Sequence, residues 1–197
     1  MIGSWVPSVV NPKDINAIRS VVIGTVRSRY SYDELLLKIV DVSVRGSRAV
    51  VNIVYSGKVP RAEVAATAIQ GLLNAMRNRF RLRKFSFILV NVSKTGSSRG
   101  IKFLATTRIP RVVYLAIPRI IEVLKKYNVV VRRWSVKLCG DTVRVSMNCS
   151  SGIPEISVSE IKAELRSILD RMLLEKRVCL DIDIHARVNR YELEVCR

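Results

Sequence analysis

The chain has 197 residues, about half of them apolar and a quarter charged, which is enough to bury a core and excludes a disordered tail protein. Its 34 Lys and Arg against 16 Asp and Glu give a net charge of +18, a field that attracts polyanions and says nothing about fold. No run approaches the roughly 18 apolar residues of a membrane span, and Met1-Ile2-Gly3-Ser4-Trp5 lacks the basic start of a secretory leader. The expectation is a cytoplasmic protein with no membrane partner.

In chain order, Asn11-Pro12 is a helix start, with Asn at the cap and Pro at the first helical position. Ile15, Ile18, Val22 and Val26 then recur at helical spacing to about residue 29. Strands are predicted at Leu35–Val44 and Ala49–Tyr55, joined by Arg45-Gly46-Ser47-Arg48, where Gly-Ser is a hairpin signal. Pro60 opens a second helix with Val64, Ala68, Leu72 and Ala75 on one stripe, and a strand over Lys84–Val92 follows.

The second half repeats this order. Pro110 opens a helical pattern to Tyr127, in which Pro118 favours a kinked helix over a strand at Val112–Ile117 followed by a helix. Strands at Val129–Leu138 and Val143–Cys149 meet at Gly140-Asp141. A helix over about residues 157–175, a strand at Val178–Ala186 and a short edge strand at Tyr191–Val195 complete it. Ile101–Thr107 is read as the first strand of this half, and Trp5–Val10, interrupted by Pro7, as that of the other. The fold class is α+β: tandem ferredoxin-like or RRM-like (β)αββαβ units over 1–98 and 99–197, with mostly antiparallel sheets and helices on one face.

The charge is uneven. Residues 1–107 carry 17 basic and 5 acidic side chains, and residues 108–197 carry 17 and 11. From Val64 to Ile121 there is no acid and there are eleven cations. Arg77, Arg79, Arg81, Arg83 and Lys84 crowd the end of the second helix and the start of the next strand. Helix C-termini favour cations, but five in eight positions exceed that role and point to phosphate. In Lys94-Thr95-Gly96-Ser97-Ser98-Arg99-Gly100-Ile101-Lys102, backbone N–H groups and the Ser97 and Ser98 hydroxyls can face a phosphate, with Lys94, Arg99 and Lys102 supplying charge. A plain hairpin or a link between units is the other reading. Arg108 and Arg111 extend the basic stretch.

Aromatic residues are few. Phe85 and Phe87 are placed on one strand face and read as core rather than as base-stacking groups. The first unit's open sheet face reads as apolar and is expected to be covered by the other half or by a partner subunit. The second's reads as polar and mixed in sign. The four cysteines show no C-x-x-C spacing and read as buried or idle thiols, with a disulfide next. Val, Ile and Arg richness and a single Gln70 lean toward a thermophile composition. His185 is the only histidine, so no multi-histidine metal site can form. No catalytic residue, metal ligand or cofactor is predicted, with a metal-free ribonuclease as the enzymatic alternative.

The run Ala49-Val50-Val51-Asn52-Ile53-Val54, the Pro60–Met76 helix, and Val90-Asn91-Val92-Ser93 followed by Gly96 resemble the small RRM-like protein subunits of archaeal ribonuclease P, over about residues 12–103. That family ends its last strand in Val-Ser-Gly-Thr, where this chain has Val92-Ser93-Lys94-Thr95-Gly96. The resemblance implies a non-catalytic role in shaping a catalytic RNA. The expected partner is RNA held by its backbone phosphates, with single-stranded DNA, an acidic protein or a second copy of the chain as alternatives.

Overall fold

The computed structural model describes residues 11–97, 99–172 and 174–197. The predicted start of the first helix holds: the Asn11 side chain accepts from the Lys13 N–H at 3.0 Å, and α1 (Pro12–Arg29) begins at the proline. β1 (Leu35–Arg45) and β2 (Arg48–Gly57) form an antiparallel hairpin turned at Gly46, whose φ is +58°. Gly57 ends β2 at φ +136°, where a Cβ would collide with the Glu34 carbonyl, so only glycine fits. α2 (Arg61–Asn78) runs back, and β3 (Phe87–Lys94) returns parallel to β2.

β3 begins three residues later than the pattern predicts. Phe80–Lys84 forms a 3-10 turn instead, which tucks Leu82 and Phe85 into the core. β4 (Ile101–Thr106) pairs antiparallel with β3 and completes the first sheet in the order β1-β2-β3-β4. Among the described residues the first sheet thus takes its fourth strand from beyond residue 98. The cause is the short Thr95–Gly100 connection, which returns the chain beside the strand it has just left. Gly100 passes so close to Asn91 and Ser93 that a Cβ there would overlap both. The expected strand at Trp5–Val10 lies outside the described residues.

The second unit copies the first. α3 (Arg111–Lys126) is continuous through Pro118, as favoured above, and is followed by the hairpin of β5 (Val129–Cys139) and β6 (Thr142–Ser151). α4 (Val158–Asp170) stops five residues before the expected end. β7 (Arg177–His185) lies parallel to β6, and β8 (Arg190–Cys196) pairs antiparallel at its edge. The class is therefore α+β, with two related four-stranded, mostly antiparallel sheets and four helices. In each sheet the two parallel strands are direct neighbours, joined through one helix.

Alternation along the strands sends one face of each sheet to the helices. Val51, Ile53, Val90, Val92 and Phe103 fill the core from the first sheet, and Val145, Met147, Leu180, Ile182 and Ile184 fill it from the second. The four helices touch in chain order, α1 to α2 to α3 to α4, and β4 runs beside β5. The units share one core. Trp134 of β5 is 2 % exposed, stacks 5.1 Å from Phe103 of β4, and donates its indole N–H to the Ala62 carbonyl of α2 at 3.0 Å. Among the described residues, no helix is long and apolar enough to cross a membrane.

The cysteines divide in a way the sequence reading ranked second. Cys179 and Cys196 lie opposite each other on β7 and β8 and are bonded as a disulfide, while Cys139 is an exposed thiol and Cys149 a buried one.

Candidate nucleic-acid interface

Chain direction decides where the cations gather. α2 runs opposite to β2 and β3, so its C-terminus comes back to the β1–β2 hairpin. β4 runs opposite to β3, so its end and the start of α3 arrive there too. The register lines up Arg45 with Arg48, Arg48 with Phe87 and Phe87 with Thr106 across the four strands. Ser86 Oγ bonds Ser47 Oγ at 3.0 Å, and Arg83 donates to the Arg77 carbonyl at 2.9 Å, closing α2. One end of the first unit thus carries Arg77, Arg79, Arg83, Lys84, Arg108 and Arg111, as well as Arg45 and Arg48, which the sequence reading missed. Arg81 lies in the same 3-10 turn, but its side chain is outside the described residues.

Arg45, Arg48, Arg77, Arg79, Arg108 and Arg111 are all exposed. Among the described residues none of the six forms an ion pair. Arg48 lies 5.2 Å over the Phe87 ring, which keeps the guanidinium plane open on its other side. The contrast is with the opposite end of the helices, where Arg29 pairs with Glu122, Lys125 with Glu63, and Lys126 with Glu164.

Lys84 differs from its neighbours. It pairs with Asp14 of α1, a carboxylate 2 % exposed and buried beneath the 3-10 turn. Its first duty is therefore structural. Lys84→Met is expected to destabilise the fold by about 2–3 kcal/mol, because it leaves a buried carboxylate uncompensated. Urea denaturation checks this, and Asp14→Asn in the Lys84→Met background should recover most of the loss.

The second predicted segment lies elsewhere. Lys94, Ser97 and Arg99 sit around the far end of β3, roughly 23 Å from the arginine end at the usual rise per strand residue, while Lys102 lies on β4 opposite Asn91, about halfway between the two ends. The structure therefore does not bring the two predicted clusters together. The Lys94–Lys102 loop is a hairpin connection fastened from within. Arg61 donates to the Arg99 carbonyl at 3.2 Å and to Ser97 Oγ at 3.1 Å, and Thr95 N–H reaches the Tyr55 carbonyl. Ser98 lies outside the described residues. Partial burial and the nearby guanidinium groups of Arg61 and Arg132 hold the Lys94 ammonium below its usual pKa, so a smaller second concentration of positive charge remains there.

The open sheet faces differ as the alternation predicts, but the first is not covered by the second unit. Val50, Val54, Phe87 and Leu89 are half-buried on it, and Ile39 and Leu104 are 54 % and 40 % exposed. Phe87 thus belongs to the open face and Phe85 to the core, where the sequence reading put both in the core. The second face is occupied by its own charges. Arg144 binds Asp181 at 2.9 Å with Glu194 at 3.6 Å, and Arg190 binds Asp183 at 2.7 Å with Glu192 at 3.4 Å. Arg190 and His185 hold the Asp183 carboxyl below its usual range. His185 Nε2 lies 3.4 Å from the same Asp183 carboxylate.

No protein-family model, curated protein or solved structure matches the chain.

Proposed function

We propose that this protein binds RNA through backbone phosphates, as a non-catalytic subunit of a ribonucleoprotein. The observation that carries the reading is the arginine end of the first unit, with six exposed guanidinium groups and no carboxylate partner for them among the described residues. Gathering like charges is unfavourable, and a polyanion relieves it with planar donors that match phosphate oxygens. Cations held for solubility alone would be interspersed with acids, as they are at the other end.

RNA is preferred over single-stranded DNA because of the resemblance to ribonuclease P subunits. The test is salt-titrated binding of the full chain to a structured RNA, a single-stranded RNA and a single-stranded DNA. Tight RNA binding with a steep log–log salt dependence supports the reading. A preference for DNA would replace the ligand, and comparable weak binding to all three would overturn the function.

A further inference from the structure

Resting on the nucleic-acid reading, we propose that the cavity between the C-terminus of α2 and the start of α3 takes one unpaired nucleobase, whose phosphate lies on Arg108 and Arg111. The cavity has a volume of about 230 Å³ and is open to solvent beside Arg111, one of the arginines described above, with Arg108 two residues before its Pro110 wall. Its walls are apolar, from Leu73 and Met76 of α2, Phe85 and Ile88 near β3, and the ring of Tyr114. Its mouth is polar, with Ser86, Thr106, Thr107 and Arg111. That division suits a flat ring whose faces are apolar and whose edge needs hydrogen bonds. Hydroxyls both donate and accept, so the mouth can satisfy either kind of edge group.

Tyr114 sharpens the fit. It is 2 % exposed, and its hydroxyl accepts from the Thr106 N–H at 3.0 Å, which fixes the group at the wall and leaves its own proton to donate. The charges beside the cavity also lean toward an anion. α3 begins at Pro110 with no side-chain cap and no acid in its first turn, and Arg111 is its first residue. Cations stand where the helix end favours negative charge. The volume is too small for a helix or a folded peptide segment. A duplex reaches it only by extruding a base, so the ligand class is single-stranded or bulged nucleic acid.

The deciding experiment compares two fluorescein-labelled RNA strands of equal length, one of uridines and one of abasic riboses throughout, each titrated into the full protein and its Ala105→Leu variant. Ala105 is a cavity-lining residue 3 % exposed, and leucine fills the space. The uridine strand is expected to bind wild type about 10-fold more tightly than the abasic strand. Ala105→Leu should erase that difference without changing the salt slope. Equal binding of the two strands to wild type overturns the cavity proposal and leaves phosphate binding intact. Salt-insensitive or absent binding of both strands overturns the functional reading itself. Should Ala105→Leu unfold the chain, the wild-type comparison still decides, and Tyr114→Phe should narrow the gap between the strands.

Discussion

Replacing Arg77, Arg79 and Arg108 together by glutamine is expected to weaken single-stranded RNA binding about 10-fold or more and to flatten the log–log salt slope by about two to three. All three side chains are exposed and unpaired among the described residues, so the substitutions remove charge without opening the core. Surface changes of this kind stay within about 0.5 kcal/mol each, and the thermal transition should hardly move. Arg83 is left out of the variant because it closes α2 through the Arg77 carbonyl, and Lys84 because it neutralises Asp14. The matching control is Lys94→Gln with Arg99→Gln at the far end of β3. If the control weakens binding as much as the triple variant, the ligand spans both ends. If neither weakens it, the arginine end is not the site.

Reducing the Cys179–Cys196 bond should lower stability by about 3 kcal/mol, for a loop of 17 residues. For a chain of this size that is a fall of roughly 6–12 °C in the melting temperature. β8 is an edge strand, and its far end is held by the disulfide and by the backbone pair between Val178 and Arg197, so it should fray first. Thiol counting gives the parallel check. Native protein should show one reactive thiol, Cys139. Cys149 is shielded, and burial pushes its pKa up to about 12, so it should react only on unfolding. All four should react after unfolding with reductant. An unchanged melting temperature on reduction would mean that the β7–β8 ladder alone holds the strand.

Much of this architecture is legible locally, because caps and turns are local chemistry. Asn11-Pro12 starts α1, Gly46 turns the first hairpin and Gly140, at φ +60°, turns its counterpart. Partner choice is not local. Ile101, Phe103 and Ala105 alternate equally well for either sheet, and only the length of the connection from β3 assigns them to the first. The same blindness hid parts of the site. Arg45 and Arg48 lie outside the acid-free window, yet the hairpin brings them to the end of α2. Asp14, which claims Lys84, is 70 residues away in sequence. The choice of Cys179 and Cys196 as the bonded pair comes from the β7–β8 register, which runs one residue past the expected Val195 end of the last strand.

Trp134 has a consequence for how the repeat can come apart. Its ring belongs to the second unit, but its stacking partner Phe103 and its hydrogen-bond acceptor Ala62 belong to the first. Burying a side chain of that size is worth roughly 4–6 kcal/mol as an upper bound, a sizeable share of a typical domain's net stability. Melting should therefore be a single cooperative event, with calorimetric and van't Hoff enthalpies in agreement, instead of two transitions for two copies. Trp134→Ala should split or broaden it. Two units of the same element order thus share one core, so expressing either alone would strip the cover from the other.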